Sequence, residues 1–593
     1  MVLSIIKSSW YFLTYLFLFF GFYMFKKNDS KFNGISWLSV TAFLIMCFNT
    51  FIAGILSFVA IPVNILTLSF FNLLVGFILW YKTIKSKQRQ QYYFHVVDFI
   101  AVCLMAALVI FITYKQFGSD FYINYETSDP AVHLKLAMDV FNTDKVGGMY
   151  FSPLNNAILI ELLSPVTTVF YYYKLFIVAD TFMLLLAGTM FFAAVRRYLT
   201  KPFLQGFGVF LTLAYLFGYP LNNEVYGFVY LGTSVSIIAL LVFLCDCLVH
   251  EELNRWFTAV LLGLGCLSIL VCYTLFAPAI YVGVFLCLCL YLLKQKTLFK
   301  LKSLLLLCTV FLIPFIMGIY YSYFGMFNSS SGLSLPEVLT WEGGIYRDLY
   351  SNFVIFLPFT IYGLIKLIQS KVPNAGATSF VAMLLFSGVL LLAGIYGKVS
   401  SYYYYKVYYA LWFYVFYLLF YGIYRLADHA KLLITSYTVV WAIIAALNFS
   451  SIEYKLTVNK PAFVLSVKSA TFLEIYNFNR FKIIEPTIYN PSQIEMFKYA
   501  YDNLMTGNNP RVPFYGYYAD VYWFEAITNQ RLTDAYWWDQ DVAVLVGKMQ
   551  SGMYGHYVLV QKHPDAQFAL DQFAGYPVVY ENDFGLIYSV PKI

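Results

Sequence analysis

Residues 94–130 read FHVVDFIAVCLMAALVIFITY and then KQFGSDFYINYETSDP. The first part is an apolar run long enough, at 1.5 Å per residue, to cross roughly 30 Å of hydrocarbon. The second part turns polar at Lys115 and ends on Asp129-Pro130. A bilayer core offers no water to an exposed backbone, so such a run must be a helix that satisfies its own N–H and C=O groups. The pattern recurs along the chain. About fourteen segments read the same way, near 5–25, 36–57, 62–81, 94–114, 166–194, 203–219, 231–249, 256–273, 276–293, 303–323, 351–369, 378–397, 403–424 and 432–452. Composition agrees: 61% of residues are hydrophobic and 12% charged, far from a soluble profile. The fold expected is an all-α polytopic membrane protein. The first segment does not read as a signal peptide, because it runs long and no small-residue cleavage site follows it before Lys26 and Lys27.

The net charge of +7 does not indicate a nucleic-acid partner, since the basic residues gather in short loops. They fall in alternate ones: Lys26, Lys27 and Lys31; Lys82, Lys85, Lys87 and Arg89; Arg196, Arg197 and Lys201; Lys294, Lys296, Lys300 and Lys302; Arg425 and Lys431. The positive-inside rule makes these cytoplasmic. Residues 115–165, 219–230, 324–350, 398–402 and everything after 452 then face outward.

Several chemistries find no support. All nine cysteines lie in expected spans, which leaves none for a disulfide framework in the tail. The six histidines, His95, His133, His250, His429, His556 and His563, have no metal-ligand spacing. No Walker loop or dinucleotide fingerprint is present, and Gly147-Gly148 reads only as a turn. After residue 452 the composition becomes polar and no segment could span. A helix is expected over 491–505, strands at Val512–Tyr517, Val542–Val546 and Tyr557–Val560, a short helix after His563-Pro564-Asp565, and a hairpin of Val578–Tyr580 with Gly585–Val590. That is a small α/β or α+β domain.

Candidate functional residues lie in the outward segments. Asp129-Pro130 is a strong helix start, and a helix over 130–141 would set Val132, Leu136, Ala137, Val140 and Phe141 on an apolar side, with His133, Lys135 and Asp139 on a polar one. Asp129 is then either a plain N-cap or a cap that also serves as a base at a membrane surface. His133 follows by one turn and is either its partner or a surface residue. Arg347, in the loop 324–350, offers a planar fork for phosphate or pairs with a neighbouring acid. Lys398 and Lys406 bracket Tyr402–Tyr405 against the positive-inside trend. They either hold an anionic headgroup or snorkel beside an aromatic belt. Tyr404, Trp537 and Trp538 are rings that could stack on sugar, or pack a core. Lys174, Asp180 and Asp246 are ionisable residues inside expected spans, where burial is costly.

Together these features resemble the GT-C superfamily of integral-membrane glycosyltransferases, whose pattern is a many-span helical module with a catalytic acid in the first outer loop, helices lying in that loop, and often an outer C-terminal domain. The resemblance divides the chain into added N-terminal helices (1–93), a GT-C-like module (94–452) and an extracytoplasmic domain (453–593). The tail, with Lys562-His563-Pro564-Asp565 and Val578–Asp583, is similar to tails of bacterial cell-wall-polymer members, including the arabinofuranosyltransferase-like group. The family implies inverting transfer from a polyprenyl phosphate sugar to a glycan or teichoic-type polymer outside a bacterial cell membrane. Asp129 matches the catalytic position. Many members carry two adjacent acids, whereas here Pro130 follows Asp129 and Glu126 precedes it by three, so Glu126 is the alternative base. Arg347, Lys398 and Lys406 would hold donor phosphate; His133, Tyr404, Trp537 and Trp538 would meet the sugar or acceptor. Some members use a divalent metal, Mg or Mn, and nothing in the sequence specifies one. The competing expectations are a lipid-linked oligosaccharide flippase or polymer exporter, and a scaffold of a wall-synthesis complex.

Overall fold

The computed structural model describes residues 2–25, 32–85, 92–125, 127–146, 152–320, 339–345, 350–449, 457–459, 469–477, 491–505, 511–530, 541–552 and 554–591. Glu126, Arg347, Trp537 and Trp538 lie outside them.

The chain is a multi-pass α-helical membrane protein. Thirteen helices among the described residues are long and apolar enough to cross a bilayer. In order the helices are α1 (Val2–Met24), α2 (Gly34–Phe58), α3 (Ile65–Lys85), α4 (Val96–Phe117), α5 (Asp129–Thr143), α6 (Ser152–Leu163), α7 (Tyr172–Val195), α8 (Pro202–Leu216), α9 (Tyr219–Tyr226), α10 (Val229–Val249), α11 (Arg255–Cys272), α12 (Ala277–Lys294), α13 (Leu301–Tyr320), α14 (Tyr350–Phe353), α15 (Leu357–Gln369), α16 (Ala375–Ile395), α17 (Ser401–Leu426) and α18 (Lys431–Phe449).

Two expectations about this region change. The segment 351–369 is not one continuous helix. It is built as α14 and α15, and Pro358, which suits a first helical turn, opens the second piece. The two pieces together run alongside α17, with Phe353 against Trp412 and Phe356 against Phe416, and the continuous part has 13 residues. It packs on α17 through two glycines. A Cβ on Gly363 would stand 2.0 Å from the Leu418 carbonyl oxygen, and one on Gly422 would stand 2.4 Å from that of Phe359. Small residues let two backbones touch, which is how helices associate where lipid is as apolar as leucine. The second change is the loop 219–230, which contains the helix α9. Pro220 starts it, and Gly227, at φ +75°, ends it in the left-handed region that favours glycine.

Burial ranks the helices. Over its most apolar stretch, 94% of α17 is buried, against 17% for α18. The central α17 carries its polar tips to neighbours: Tyr409 Oη donates to Asn222 Oδ1 at 2.6 Å and Trp412 Nε1 to the Tyr215 carbonyl at 3.1 Å. The peripheral α13 and α16 expose Ile313, Phe315, Leu385 and Leu392, as lipid-facing helices do. The clusters Lys82–Lys85, Arg196–Lys201, Lys294 and Arg425 lie at helix ends opposite those that lead to α5 and the tail. The bundle thus has a basic end and a tail-side end.

The tail's described residues include a helix α19 (Pro491–Tyr499) continued by a π turn at Ala500–Leu504, α20 (Tyr518–Ile527), α21 (Val542–Gln550) and α22 (Gln567–Phe573). Short pairs β1 (Phe32–Asn33) with β2 (Tyr92–Tyr93) and β3 (Thr457–Asn459) with β4 (Ser469–Thr471) precede them. The main sheet has the order β5-β6-β8-β7, with β5 (Phe514–Tyr515) parallel to β6 (Tyr557–Gln561), and β8 (Gly585–Ser589) antiparallel to both β6 and β7 (Val578–Glu581). The hairpin and the strand at 557 form as expected. Val542–Val546 does not form a strand. It opens α21, because Asp541 accepts the Ala543 N–H at 2.9 Å and caps a helix.

Candidate functional site

The segment after α4 returns to the bundle at two neighbouring points. Thr127 Oγ1 donates to the Tyr226 carbonyl at 2.6 Å, and Pro130 packs on Gly227, where a Cβ would meet Pro130 Cγ at 1.9 Å. This fixes the start of α5 against the end of α9. Ser128, not Asp129, occupies the N-cap position, and Asp129 is the first helical residue. The Asp129 backbone N–H donates to Thr127 Oγ1 at 3.3 Å. Its half-buried carboxylate accepts no hydrogen bond among the described residues. Asp129 therefore does not cap α5, which removes the cap from both readings, although an acid in the first turn still faces the positive end of the helix dipole.

One turn on, His133 is buried, at 5% exposure, which overturns its place on a polar face. The helix lies with Ala131, Leu134, Ala137 and Met138 inward as well, while Val132 is exposed. The buried stripe is rotated from the expected one because the bundle covers the face that contains His133. The His133 ring meets Tyr230 edge to face, with centroids 5.2 Å apart. Burial lowers the imidazole's pKa from its ordinary range; Asp129 opposes the shift and Lys406 adds to it.

Lys406 reaches the same place from α17. It is 3% exposed, so it does not snorkel. Nζ donates to Tyr230 Oη at 2.8 Å and lies 4.1 Å from the Tyr402 ring centroid, 5.0 Å from Phe228, 5.1 Å from Tyr230 and 5.4 Å from Tyr273. Four ring faces around one ammonium replace part of the water it has lost. Asp129 is within electrostatic reach of both His133 and Lys406. Two neighbours on α5 and one residue distant in sequence thus converge at the tail-side end. Tyr404 is half-buried and packs on Tyr405 and Tyr408, while Lys398 is exposed just beyond α16.

The three ionisable residues flagged inside spans have different surroundings. Lys174 lies over the rings of Tyr171 and Tyr173, at 5.3 and 6.0 Å. Asp246 pairs with Arg197 at 3.7 Å and accepts from Asn374 Nδ2 at 3.3 Å. Asp180 accepts from Tyr125 Oη at 2.8 Å and Asn156 Nδ2 at 3.1 Å, with Glu224 close enough to interact electrostatically. Glu224 and the cage residues Phe228, Tyr230 and Tyr273 were not expected. The signal for Glu224 was the run Pro220-Leu221-Asn222-Asn223-Glu224 inside a predominantly apolar region. The rings carried no signal in a chain with 21% aromatic residues.

The tail approaches the same end. Lys135 Nζ on α5 donates to Asn529 Oδ1 at 2.9 Å, and Trp523 stacks on Tyr125 with centroids 5.8 Å apart. Among the described residues no group of three or more His, Cys, Asp or Glu side chains is arranged to hold a metal ion. The arrangement offers a carboxylate that accepts no hydrogen bond among the described residues, beside a buried cation and an imidazole. Such a set can take a proton at one point and stabilise negative charge at another. No protein-family model matches the chain and no curated protein matches it, so the chemistry of this site is argued from its own residues.

Proposed function

We propose that the protein is a membrane glycosyltransferase of the GT-C kind, moving a sugar from a polyprenyl phosphate donor to a glycan acceptor outside a bacterial cell. The observation that carries this reading is the carboxylate of Asp129, which accepts no hydrogen bond among the described residues, set beside His133 and Lys406 at the bundle end that the tail approaches. In the proposed step the acceptor hydroxyl oxygen attacks the anomeric carbon, its proton passes to Asp129, and the bond from that carbon to the phosphate oxygen breaks with inversion. The leaving polyprenyl phosphate carries the negative charge, which Lys406 offsets. Glu126 is the alternative base, Arg347 and Lys398 are further candidates for the phosphate, and residues 453–593 would form an extracytoplasmic domain holding acceptor through Trp537 and Trp538.

An apolar groove supports a lipid-borne donor. It has a volume of about 610 Å³, runs between α4, α8 and α18, and includes Tyr476 in its lining, where Tyr476 Oη donates to the Ala214 carbonyl at 2.9 Å. The second reading, a flippase or exporter of lipid-linked glycans, draws on Asp180 and Glu224, since ionisable residues inside a bundle often mark a transport path. The deciding experiment supplies purified protein in lipid nanodiscs with a panel of radiolabelled polyprenyl phosphate sugars and a cell-wall glycan acceptor. Transfer of label to the acceptor is the expected result. Movement of intact lipid-linked label across a vesicle membrane, with no transfer, would replace this reading by the transport one.

A further inference from the structure

Glu224 poses a separate question, independent of the glycosyl-transfer reading. It sits on α9, with Asn223 beside it and Thr233 opposite on α10; the three are 5%, 4% and 5% exposed. Glu224 Oε1, Asn223 Oδ1 and Thr233 Oγ1 are fully buried and have no hydrogen-bond partner among the described residues. All three residues line one small cavity of about 20 Å³ between α7, α9 and α10. Its remaining walls are largely apolar and aromatic, with Met183, Leu184, Tyr215 and Tyr409 among them. Gly232 makes room for the amide. Asn223 Nδ2 is 3.5 Å from the point a Cβ would occupy there.

An unpaired buried acceptor costs about 1–3 kcal/mol, and a buried carboxylate more. Three such oxygens on residues that line one cavity need something that attracts oxygen. Thr233 carries one proton and can answer one of the others. A water brings two donors but no charge to balance Glu224. A cation attracts all three oxygens at once and also neutralises the carboxylate. The cavity has room for about one water-sized sphere. The charge count points to a single positive charge. Glu224 supplies the one carboxylate in the cavity lining; Asp180 lies outside that lining, with its two oxygens held by Tyr125 and Asn156. Hard oxygen donors of this kind suit alkali and alkaline-earth ions rather than soft metals.

We infer that Glu224, Asn223 and Thr233 form a binding site for one monovalent cation of about the size of sodium, which ties α9 to α10. Through the Thr127–Tyr226 bond, the same cation supports the turn that carries Asp129.

The test uses the full chain in nanodiscs and reads unfolding temperature by tryptophan fluorescence. Choline chloride is exchanged for NaCl, KCl or CaCl2 at constant ionic strength. The expected result is a saturable rise with NaCl, a smaller one with KCl, and none in the Glu224→Gln protein. The milder Thr233→Val change keeps the carboxylate and should raise the half-maximal Na⁺ concentration roughly tenfold, so it carries the test should Glu224→Gln fail to fold. Identical melting in NaCl and choline chloride overturns the site and leaves the cavity to water or a proton. A stronger response to CaCl2 than to NaCl overturns the charge assignment. A sodium response that is unchanged in both variants moves the cation elsewhere. Each outcome is read from stability alone, so a failed transfer assay does not affect it.

Discussion

Two clusters of charge are buried among the helices, and they are compensated differently. At the basic end Asp98 accepts from the Arg196 guanidinium through both oxygens, from the Asn33 amide, and from the His95 N–H at 3.3 Å. Nearby, Arg197 answers Glu252 at 2.8 Å and Asp246 at 3.7 Å. Each of these carboxylates has a guanidinium beside it. At the tail-side end Asp129 accepts nothing among the described residues, Lys406 is held by a hydroxyl and four rings, and Glu224 keeps an unpaired oxygen. Evolution can satisfy a buried charge in this bundle, as the basic end demonstrates. Leaving charges without an ion pair among the described residues at the other end is a cost that structure alone does not repay. The basic end fixes where helices sit; the tail-side end keeps groups available.

The largest effect that would break this contrast is on turnover. Asp129→Asn should lower transfer by about 10²–10⁴-fold with little change in melting temperature. The measurement is product formed per folded, monodisperse protein. A fully active Asp129→Asn beside an inactive Glu126→Gln would move the base to Glu126, and full activity in both would end the mechanism. Next in size is the opposite pattern at the basic end. Asp98→Ala leaves the Arg196 guanidinium buried and uncompensated and should cost about 3–5 kcal/mol in denaturant unfolding. Specific activity of the protein that remains folded should be unchanged.

Lys406 sharpens the comparison at smaller scale. Lys406→Met fits among apolar rings and spares the desolvation of an ammonium, so stability should hold or rise. Donor use should weaken by about 10–100-fold, the loss of one charge-assisted bond of about 1.5–3 kcal/mol, seen as a raised apparent donor constant. Equal donor affinity would make Lys406 a packing residue. The smallest effect concerns pH. The folded-state pKa of His133 lies below the ordinary value of about 6.5, so the unfolded chain binds its proton first. Its neutral burial costs nothing extra above pH 6.5. As pH falls from there towards the folded value, stability is lost. Melting temperatures from pH 8 to 5 should therefore fall less steeply in His133→Gln than in the parent protein, and parallel curves would remove His133 from the account.

The sequence exposed the greater part of the bundle because a span must be long, apolar and helical. The segment 351–369 misled because hydropathy does not register the interruption between α14 and α15. The tail hairpin was legible from its alternation and turn residues. Val542–Val546 was not, since five apolar residues fit a strand or a capped helix alike. In the site, Asp129 and Lys406 stood out because charges near spans are rare. The burial of His133 could not be read, because which face of a short helix is covered depends on neighbours distant in sequence. The ring cage around Lys406 joins Phe228, Tyr230, Tyr273 and Tyr402, and only packing brings those together.

Gly227 has a consequence for how this protein can vary. With Pro130 lodged where its side chain would be, the Asp129 turn takes its position from α9 and not from the length of the segments around it. Insertions on the far side of α5, between it and α6, could accumulate without displacing the carboxylate, much as rope can be paid out beyond a cleat. Any side chain at 227 would lift the turn off its seat. Among relatives of this chain, glycine at that position should therefore persist where the neighbouring loops have drifted beyond alignment.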